Sequence, residues 1–522
     1  MKRHIKNAAL TAAALLSFTG AIQAQNSLPT DAQQTCAVSK AEFNSWFADK
    51  TASKNGAVTS ANSEYFPKQN TRCDFYKWSQ RMFLWLASPE NNTNSGSYTF
   101  DAEGFFDVSS ETAKGRTLIP NSAPNNFTLR KGKVDTQAPF SEPIEEFGQA
   151  GGGGIILSQL TPISTGQSLV YYGVHVNDVY ATFLKFQTDT AYQKANNLKP
   201  FTDFPNTPAD MKILTAYAPN LDTPQAMIME LKTSWVDAAT VKNSGDYITI
   251  QATVPEFIRN SSDETWTPTG NAAKKTLALV GMHVIGTVQD HPEMVWATFE
   301  HKNNAPIDGY YYNPVQGQIQ TYVPQASGVD WLFYNADNPV SGFNAECAKI
   351  SSGGSTGTIV STGQCGNKIT SSNIIQANPF GSVSSRYVSI NDIAQVSANN
   401  TELISLGSST FSMLNSLGDV RKNYIQMGAV WTQKGNVPDS SQKYMPPQPN
   451  TDPGYTMIGS LSLANSTMET FYQLPKSFSN GTNFPVGCFS CHSAFDSKTT
   501  PKNLTISHIY SDLIKGLGSS DK

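Results

Sequence analysis

The strongest constraint on the fold of this 522-residue chain is a run of strand-like segments between residues 168 and 301. These segments are rich in Val, Ile, Thr and aromatic residues, and apolar and polar positions alternate along them, which is typical of β-strands. They cover residues 168–186, 225–236, 246–254, 275–288 and 293–301. Strand character returns at residues 423–432 and 455–473. Since helical patterns occur as well, the sequence predicts an α+β fold in which an antiparallel sheet dominates.

Helical patterns lie before and after the strand-rich region. Apolar residues at spacings of three and four within residues 75–86 predict a buried amphipathic helix that Pro89 ends. Residues 389–420 contain helical stretches that are broken at glycines. The apolar spacing within residues 504–513 predicts a short amphipathic helix that ends at Gly516.

Two parts of the strand-rich region are similar to each other. The letters YGVHV and VYATF within residues 172–183 match VGMHV and VWATF within residues 280–299. The match indicates a duplicated strand pair, and chance similarity is the alternative because few positions are identical.

The first 24 residues have the layout of a secretory signal peptide. Lys2, Arg3 and Lys6 precede an apolar run at residues 8–21, and Ala24 offers a small residue for cleavage. An amino-terminal core helix is the alternative. No other segment approaches the roughly 18 apolar residues that a membrane helix needs. We therefore expect an exported protein without a membrane span, located in the periplasm if the cell has two membranes.

The charge of the chain argues against a nucleic-acid partner. Lys and Arg total 37 and Asp and Glu total 41, which gives a formal net charge of −4. Nucleic-acid binding requires a basic surface, which this balance does not favour. Only 15% of the residues are charged, a composition that suits an exported, loop-rich protein.

Six cysteines bear on both the compartment and the chemistry. They are Cys36, Cys73, Cys347, Cys365, Cys488 and Cys491. Thiols tend to pair in an oxidising compartment, and once the last two are set aside for chemistry, the other four allow three connectivities. We predict the disulfides Cys36–Cys73 and Cys347–Cys365. The second of these would bracket a Gly- and Ser-rich loop and reduce its entropy.

The motif Cys488-Phe489-Ser490-Cys491-His492 gives the strongest functional signal. Two thiols at this spacing reach the two vinyl groups of one haem and form thioethers, and the adjacent histidine offers its imidazole to the iron. Covalent attachment suits an exported protein, which would lose a detached cofactor. The sequence therefore predicts one covalent haem c, attached through Cys488 and Cys491, with His492 as the proximal iron ligand.

Two other kinds of site use a Cys-x-x-Cys pair. A redox-active disulfide ordinarily lies at the start of a helix in a thioredoxin-like βαβ unit, and the flanking sequence does not have that pattern. A zinc site needs a second pair of Cys or His ligands, and downstream of the motif only His508 offers one. Both alternatives stay open at this point.

The motif lies close to the carboxyl terminus. Thirty residues follow His492 and none of them is methionine, whereas a small cytochrome domain continues for many tens of residues and usually supplies a methionine ligand. We therefore expect upstream segments to build most of the haem pocket. The expected organisation is a signal peptide at 1–24, a β-rich α+β main region at 25–470, as one unit or as two subdomains divided near 340–370, and a haem-attachment segment at 471–522 packed on the main region.

The second axial ligand of the iron has two expected sources. His508 follows His492 by 16 residues, a loop long enough to pass from one face of a haem to the other. The other source is an upstream methionine: Met468, which is nearest to the motif, or Met457 or Met445. An open or water-ligated iron is the third alternative.

Residues 281–306 concentrate histidines and carboxylates, which together can form a metal or acid–base site. They are His283, His291 and His301 with Asp290, Glu293 and Glu300. Their spacings match no standard ligand motif, and a strand histidine is ordinarily structural, so the expected functional role is at most that of a haem-pocket neighbour. For Glu230 and Lys232 on a nearby segment, the sequence favours an exposed strand with a salt bridge.

The motif CFSCH resembles the haem-attachment signature of c-type cytochromes. Residues 291–306, 231–235 and 465–471 (HPEMVWATFEHKNNAP, LKTSW and NSTMETF) resemble segments of a family of large exported bacterial cytochrome c-like proteins. That similarity extends over most of the chain from about residue 70 onward. The resemblance implies that the two motif cysteines link the haem and that the motif histidine is the proximal ligand, and it supplies no substrate.

Together these features predict an exported monohaem c-type cytochrome that exchanges electrons with a redox partner protein. The alternative is a haem-dependent oxidoreductase of the peroxidase, oxygenase or dehydrogenase kind, with a small-molecule substrate bound in the β-rich region. The size of that region favours the enzyme, because a simple electron carrier needs far less protein. A haem-based sensor is a third alternative and has no support beyond the haem itself.

Overall fold

The computed structural model describes the chain from residue 26 to residue 520 with internal gaps. The gaps are residues 91–94, 110, 122–126, 129–153, 161–163, 261, 263–264, 318–319, 328–330, 338–342, 352–356, 383–392, 439–456, 474–475, 478–482, 485–486 and 494–501. The segment predicted as a signal peptide, residues 1–24, and the candidate ligand Met445 lie outside the described residues.

Helices occur near both ends of the described chain and between its strands. They are α1 Lys40–Trp46, α2 Arg72–Leu86, α3 Asp178–Thr188, α4 Thr190–Ala195, α5 Pro208–Tyr217, α6 Ile393–Leu417, α7 Cys488–Cys491 and α8 Tyr510–Ser520. Helix α2 coincides with the predicted amphipathic helix, and a capping box between Thr71 and Asp74 fixes its start. No helix in the described ranges is both long and apolar enough to span a lipid bilayer.

The described strands form one large sheet and two small hairpins. They are β1 Ser95–Gly96, β2 Phe105–Val108, β3 Leu118–Pro120, β4 Phe127–Thr128, β5 Gly154–Ile155, β6 Tyr171–Asn177, β7 Met229–Asp237, β8 Thr249–Arg259, β9 Trp266–Val288, β10 His291–His301, β11 Tyr310–Tyr312, β12 Thr321–Val323, β13 Ala348–Ile350, β14 Ile359–Ser361, β15 Tyr424–Thr432, β16 Met457–Gly459, β17 Lys476–Ser477 and β18 Asn483–Phe484. The main path through the large sheet is β16-β15-β10-β9-β7-β6-β2-β3.

Antiparallel pairing dominates the sheet, as the sequence predicts. Strand β9 pairs antiparallel with β7 on one side and with β10 on the other, and β10 continues to β15. Among the described strands, only the short strands β1 and β4 pair in parallel, both with β8. The predicted α+β, β-rich fold is therefore confirmed, and the predicted strands at 225–236, 246–254, 275–288, 293–301 and 423–432 correspond to β7, β8, β9, β10 and β15.

One face of the sheet is apolar and packs on α2. Leu231, Val284 and Ala297 are register partners across β7, β9 and β10. Because side chains alternate along a strand, Phe299 shares this face with Ala297. Its ring stacks on Phe83 of α2 with the ring centroids 4.3 Å apart. Burial of this face against α2 supplies the core on that side.

The opposite face is polar at its centre. Lys232, His283 and Thr298 are the neighbouring register partners across the same three strands. Residues 460–473 and the carboxy-terminal segment cover them, and the Nδ2 group of Asn465 donates to Oγ1 of Thr298 at 2.8 Å. The candidate haem-attachment residues lie on this polar face.

Both predicted disulfides are present. Cys36–Cys73 joins the segment before α1 to the first turn of α2, and Cys347–Cys365 closes the hairpin of β13 and β14. A covalent tie at the first turn of α2 holds the amino-terminal segment against the core, while the second tie confines a surface hairpin.

Part of the predicted strand at 168–186 is wrong. Residues 171–177 form β6, but helix α3 begins at Asp178, where the side-chain oxygen of Asn177 accepts a hydrogen bond from the backbone N–H of Tyr180 at 3.1 Å. The letters VYATF are thus helical in the first occurrence and part of β10 in the second. This difference contradicts the duplicated strand pair.

Three further boundaries differ from the prediction. Of the predicted strand at residues 455–473, the structure describes residues 457–473, and within these only β16 is strand. Turns follow β16, and in them the side chain of Asn465 accepts from the N–H of Thr467 at 2.9 Å. Helix α6 runs through Gly407 without a break. Helix α8 begins at Tyr510 and extends beyond Gly516, so His508 precedes the last helix instead of lying on it.

Candidate haem-attachment site

The motif cysteines lie in α7, a single helical turn followed directly by His492. The backbone N–H of His492 donates to the carbonyl of Cys488 at 2.9 Å, which continues the turn by one residue. Gly487 precedes the turn and packs so closely on the carbonyl of Leu461 that a Cβ atom there would clash. The local backbone therefore places the two thiols and the imidazole together beside the loop at residue 461.

Neither motif cysteine forms a disulfide, and both are half-buried. Burial, and next the nearby carboxylate of Glu469, raise the pKa of the Cys488 thiol far above its usual range. A redox-active Cys-x-x-Cys pair works through a thiolate, which a lowered thiol pKa stabilises. The surroundings of Cys488 act in the opposite direction and disfavour a redox-active pair.

The imidazole of His492 is held by a hydrogen bond and by two ring contacts. Its Nδ1–H donates to the carbonyl of Ile506 at 2.9 Å. The ring centroid lies 3.9 Å from that of His508, with 18° between the planes, and 4.2 Å from that of Trp296, with 40° between the planes. Burial and the neighbouring His508 lower the pKa of His492 well below its usual range, so the ring is neutral and its lone pair is on Nε2.

His508 lies between the 3₁₀ turn Lys502–Ile506 and α8. Its Nε2 is 3.3 Å from the carbonyl oxygen of Cys491. The structure therefore brings His508 to the motif, as the sequence suggests. Its role as an iron ligand stays a prediction.

The neighbouring residue Ser507 fixes this segment to the sheet. Its hydroxyl donates to Oε2 of Glu230 at 2.6 Å, and the hydroxyl of Tyr180 lies 3.1 Å from Oγ of Ser507. Glu230 is buried, and burial raises its pKa to about 7. The expectation of an exposed strand with a salt bridge to Lys232 is wrong for Glu230, because the carboxy-terminal segment covers this face of β7.

The candidate ligands Met468 and Met457 lie apart from these contacts. Met468 is fully buried in a second apolar cluster, together with Val280, Phe333 and Ile374. The motif residue Phe489 and its neighbour Ile506 belong instead to the main core. Met457 lies in β16 at the edge of the sheet. Their roles as iron ligands stay predictions.

Among the three histidines of residues 281–306, only His283 adjoins the motif. Its Nε2 lies 2.9 Å from Oε1 of Glu469, and its charge is one cause of the lowered pKa of His492. Its role as a haem-pocket neighbour stays a prediction.

The other two histidines have structural surroundings. His291 lies 2.8 Å from the carboxylate of Glu293, and the ring of His301 stacks on Tyr247 with centroids 3.8 Å apart. Burial lowers the pKa of His301 to about 3, so it is neutral. Across the described ranges, His, Cys, Asp and Glu side chains do not gather in groups of three that could hold a metal ion.

Sequence reasoning missed Trp296 and Glu469 as neighbours of the motif. Trp296 occurs in an alternating strand pattern that predicts burial but not its partner. Glu469 follows Met468 in a segment that was expected to be a strand. A signal for the second residue exists, since the preceding Asn-Ser-Thr sequence favours a turn.

No family model, curated protein or solved structure matches this chain.

Proposed function

We propose that the chain is an exported monohaem c-type cytochrome, in which Cys488 and Cys491 attach the haem and His492 binds its iron. The observation that supports this most is the bond from Nδ1 of His492 to the carbonyl of Ile506, next to two cysteines on one helical turn that form no disulfide. A histidine that ligates a metal almost always donates its second ring N–H in this way.

The residues fit a haem c by the chemistry of their donors. Cys488 and Cys491 lie outside the two disulfides, which pair the other four cysteines with each other, so their thiols can form thioether bonds. Within the described part of the chain, the Nε2 atom of the neutral His492 ring has no hydrogen-bond partner, so it remains available as a ligand. When bound, the haem supplies a centre that gains or loses a single electron.

The protein residues hold the histidine and shape its surroundings. The carbonyl of Ile506 fixes the tautomer of His492, and Trp296 and His508 restrict its ring plane. Burial around the motif excludes water, which tunes the potential of any redox centre placed there. A redox partner protein would then exchange the electron. The two disulfides fit an oxidising compartment and so support export.

Mass spectrometry tests the proposal on protein produced with cytochrome maturation machinery. The tryptic peptide 477–498 contains the motif and should carry the added mass of one haem. The double variant Cys488→Ser/Cys491→Ser should lose it. A matched control, Cys347→Ser/Cys365→Ser, removes two cysteines elsewhere and should keep the haem. An unmodified peptide in the wild-type protein would end the proposal.

Carbon monoxide then separates electron transfer from the oxidoreductase alternative. If the absorption spectrum of the ferrous protein does not change when carbon monoxide is added, both axial positions of the iron are filled, which suits an electron carrier. Ferrous protein that binds the gas has an open axial position, which would favour the haem-dependent enzyme with a substrate site in the β-rich region.

A further inference from the structure

We infer that His508 is a positioning residue that fixes the ring plane of His492 and is not itself a ligand of the iron. This inference rests on the proposed haem attachment and assigns a role to a residue within that site.

The two imidazoles are stacked on each other. The rings of His492 and His508 lie face to face, with centroids 3.9 Å apart and planes 18° from parallel. Ligands on opposite sides of one metal point their nitrogen atoms at each other across it. With metal–nitrogen bonds of about 2 Å, such rings have centroids roughly 6 Å apart and meet end to end. The observed stack is a different arrangement.

His508 is tied to the motif by a hydrogen bond. Its Nε2 lies 3.3 Å from the carbonyl oxygen of Cys491. Since a carbonyl oxygen only accepts, Nε2 is the donor, and this bond holds the ring of His508 beside His492. The same bond ties His508 to the last residue of α7, directly before His492.

The segment that carries His508 is anchored to the rest of the protein on both sides of that residue. The preceding residue, Ser507, donates to the buried Glu230 at 2.6 Å. Further along, Asp512 binds Arg116 at 3.1 Å, and Gly516 packs so closely on the carbonyl of Arg116 that no side chain would fit there. These contacts lie on both sides of His508 and oppose the movement that would carry its ring to the other side of the site.

The stack completes a set of three contacts on His492. The carbonyl of Ile506 fixes Nδ1, while Trp296 and His508 each pack on the ring at about 4 Å. The orientation of an axial imidazole plane affects the electronic structure of the metal it binds, and partners outside the ligand set control that orientation. His508 therefore acts on the iron only through His492.

Two substitutions separate positioning from ligation. The His508→Phe variant keeps a flat ring for stacking but has no nitrogen to bind iron, whereas His508→Ala removes the ring. We expect the His508→Phe holoprotein to retain the wild-type spin state, carbon monoxide response and electron paramagnetic resonance g values. We expect His508→Ala to retain the spin state and carbon monoxide response but to shift the g values. For a high-spin wild type, the ferrous iron–histidine stretching frequency replaces the g values.

Other results would overturn the inference. If both variants lose a low-spin spectrum or newly bind carbon monoxide, His508 is a ligand. If His508→Phe shifts the signal as His508→Ala does, or if neither shifts it, stacking does not position His492. Thermal unfolding of each variant shows that it is folded.

Haem content distinguishes this inference from the proposed function. A wild-type protein without haem mass on peptide 477–498 contradicts the function. The stack is then measured directly in that protein, because the ring current of His508 should displace the ring-proton resonances of His492, and only His508→Ala should abolish the displacement. An unchanged resonance in His508→Ala would contradict the stack itself.

Discussion

Nε2 of His283 in β9 lies 2.9 Å from Oε1 of Glu469, 186 positions later in the chain. This contact fastens the loop at residues 460–473 to the polar face of the sheet. Burial acts to raise the pKa of Glu469, but the His283 imidazole and then Lys232 outweigh it and hold the pKa below its usual value. The loop is therefore held by an ionised carboxylate, beside the thiol of Cys488.

Replacing Glu469 by glutamine should lower the free energy of unfolding at neutral pH by about 1 kcal/mol. This loss is smaller than for a fully buried charged hydrogen bond, because the Glu469 side chain is 21% exposed and solvent screens its charge. A lowered folded-state pKa gives stability that is present above the ordinary glutamate value of 4.5 and is lost as the pH falls through the folded-state pKa. Denaturant unfolding at several pH values should show the variant and the wild type converging in acid.

The matched control is Glu103→Gln, which alters an exposed glutamate and should leave stability nearly unchanged. If the deficit of Glu469→Gln is the same at every pH, the contact does not act through the ionised carboxylate.

Glu230 should make the stability of the protein fall as the pH rises from about 4.5 to about 7. Burial raises its pKa from 4.5 to about 7, so the folded protein binds a proton that the unfolded chain releases at lower pH. The cost of ionising Glu230 is absent below about pH 4.5, grows between 4.5 and 7, and is fully present above 7. That cost is on the order of 3 kcal/mol at most.

The variant Glu230→Gln should remove this pH dependence while its amide oxygen still accepts from Ser507. Urea unfolding at pH 5 and pH 8 measures the effect: the variant should gain stability over the wild type at pH 8 and little at pH 5. A gain that is equal at both pH values would show that Glu230 is ionised throughout.

The Cys36–Cys73 disulfide should contribute more to stability than Cys347–Cys365. The first closes a loop of 37 residues and the second a loop of 18, and loop entropy predicts about 4 kcal/mol against about 3 kcal/mol. Thermal unfolding of the double-serine variants Cys36→Ser/Cys73→Ser and Cys347→Ser/Cys365→Ser compares them. A larger loss for the second pair would mean that the short hairpin matters more to the fold than the amino-terminal tie.

Local periodicity was sufficient to predict most of the sheet and helix α2. The strands β7 to β10 and β15 are long, and their alternation of apolar and polar residues reflects one face on α2 and one face under the carboxy-terminal segment. The two disulfides followed from the compartment and from simple spacing. The strands and helix α2 depend on residues that are near each other in sequence. The disulfides were predictable because four cysteines allow only three connectivities.

Errors arose where capping or tertiary packing outweighs composition. Residues 178–188 have strand-like composition, yet the side chain of Asn177 caps them as a helix. Gly407 costs α6 about 1 kcal/mol relative to alanine, but it packs so closely on Leu28 that a Cβ atom would be crowded. Asn177 offered a readable signal in the sequence, whereas the partner of Gly407 lies 379 residues away.

The sequence indicated the five motif residues of the candidate site and suggested His508 and His283 as their neighbours, but it did not identify Trp296 or Glu469. The motif at residues 488–492 is contiguous, so its chemistry can be read directly. Its surroundings come from Trp296 in β10, His283 in β9 and Glu469 in a turn. No sequence period relates such distant positions, because register and loop packing bring them together only in the folded chain.

Trp296 should hold the motif segment on the sheet. Its ring centroid lies 4.2 Å from that of His492 and 6.1 Å from that of Phe489. The side chain is buried, and its Nε1–H donates to the carbonyl of Glu293. Trp296→Ala should cost about 3 kcal/mol or more. Because the lost contacts lie under the motif, hydrogen exchange of peptides covering residues 487–493 and 502–513 should accelerate more than that of the sheet.

Trp431→Ala is the matched control for this prediction. Trp431 is equally buried but stacks on Phe75 of α2, with centroids 4.0 Å apart, on the other side of the sheet from the motif. The Trp431→Ala variant should lose a similar free energy of unfolding, but hydrogen exchange of the motif peptides should not accelerate selectively. Equal exchange patterns in the two variants would mean that the motif segment opens only with the whole domain, and that Trp296 contributes to the core without restraining His492.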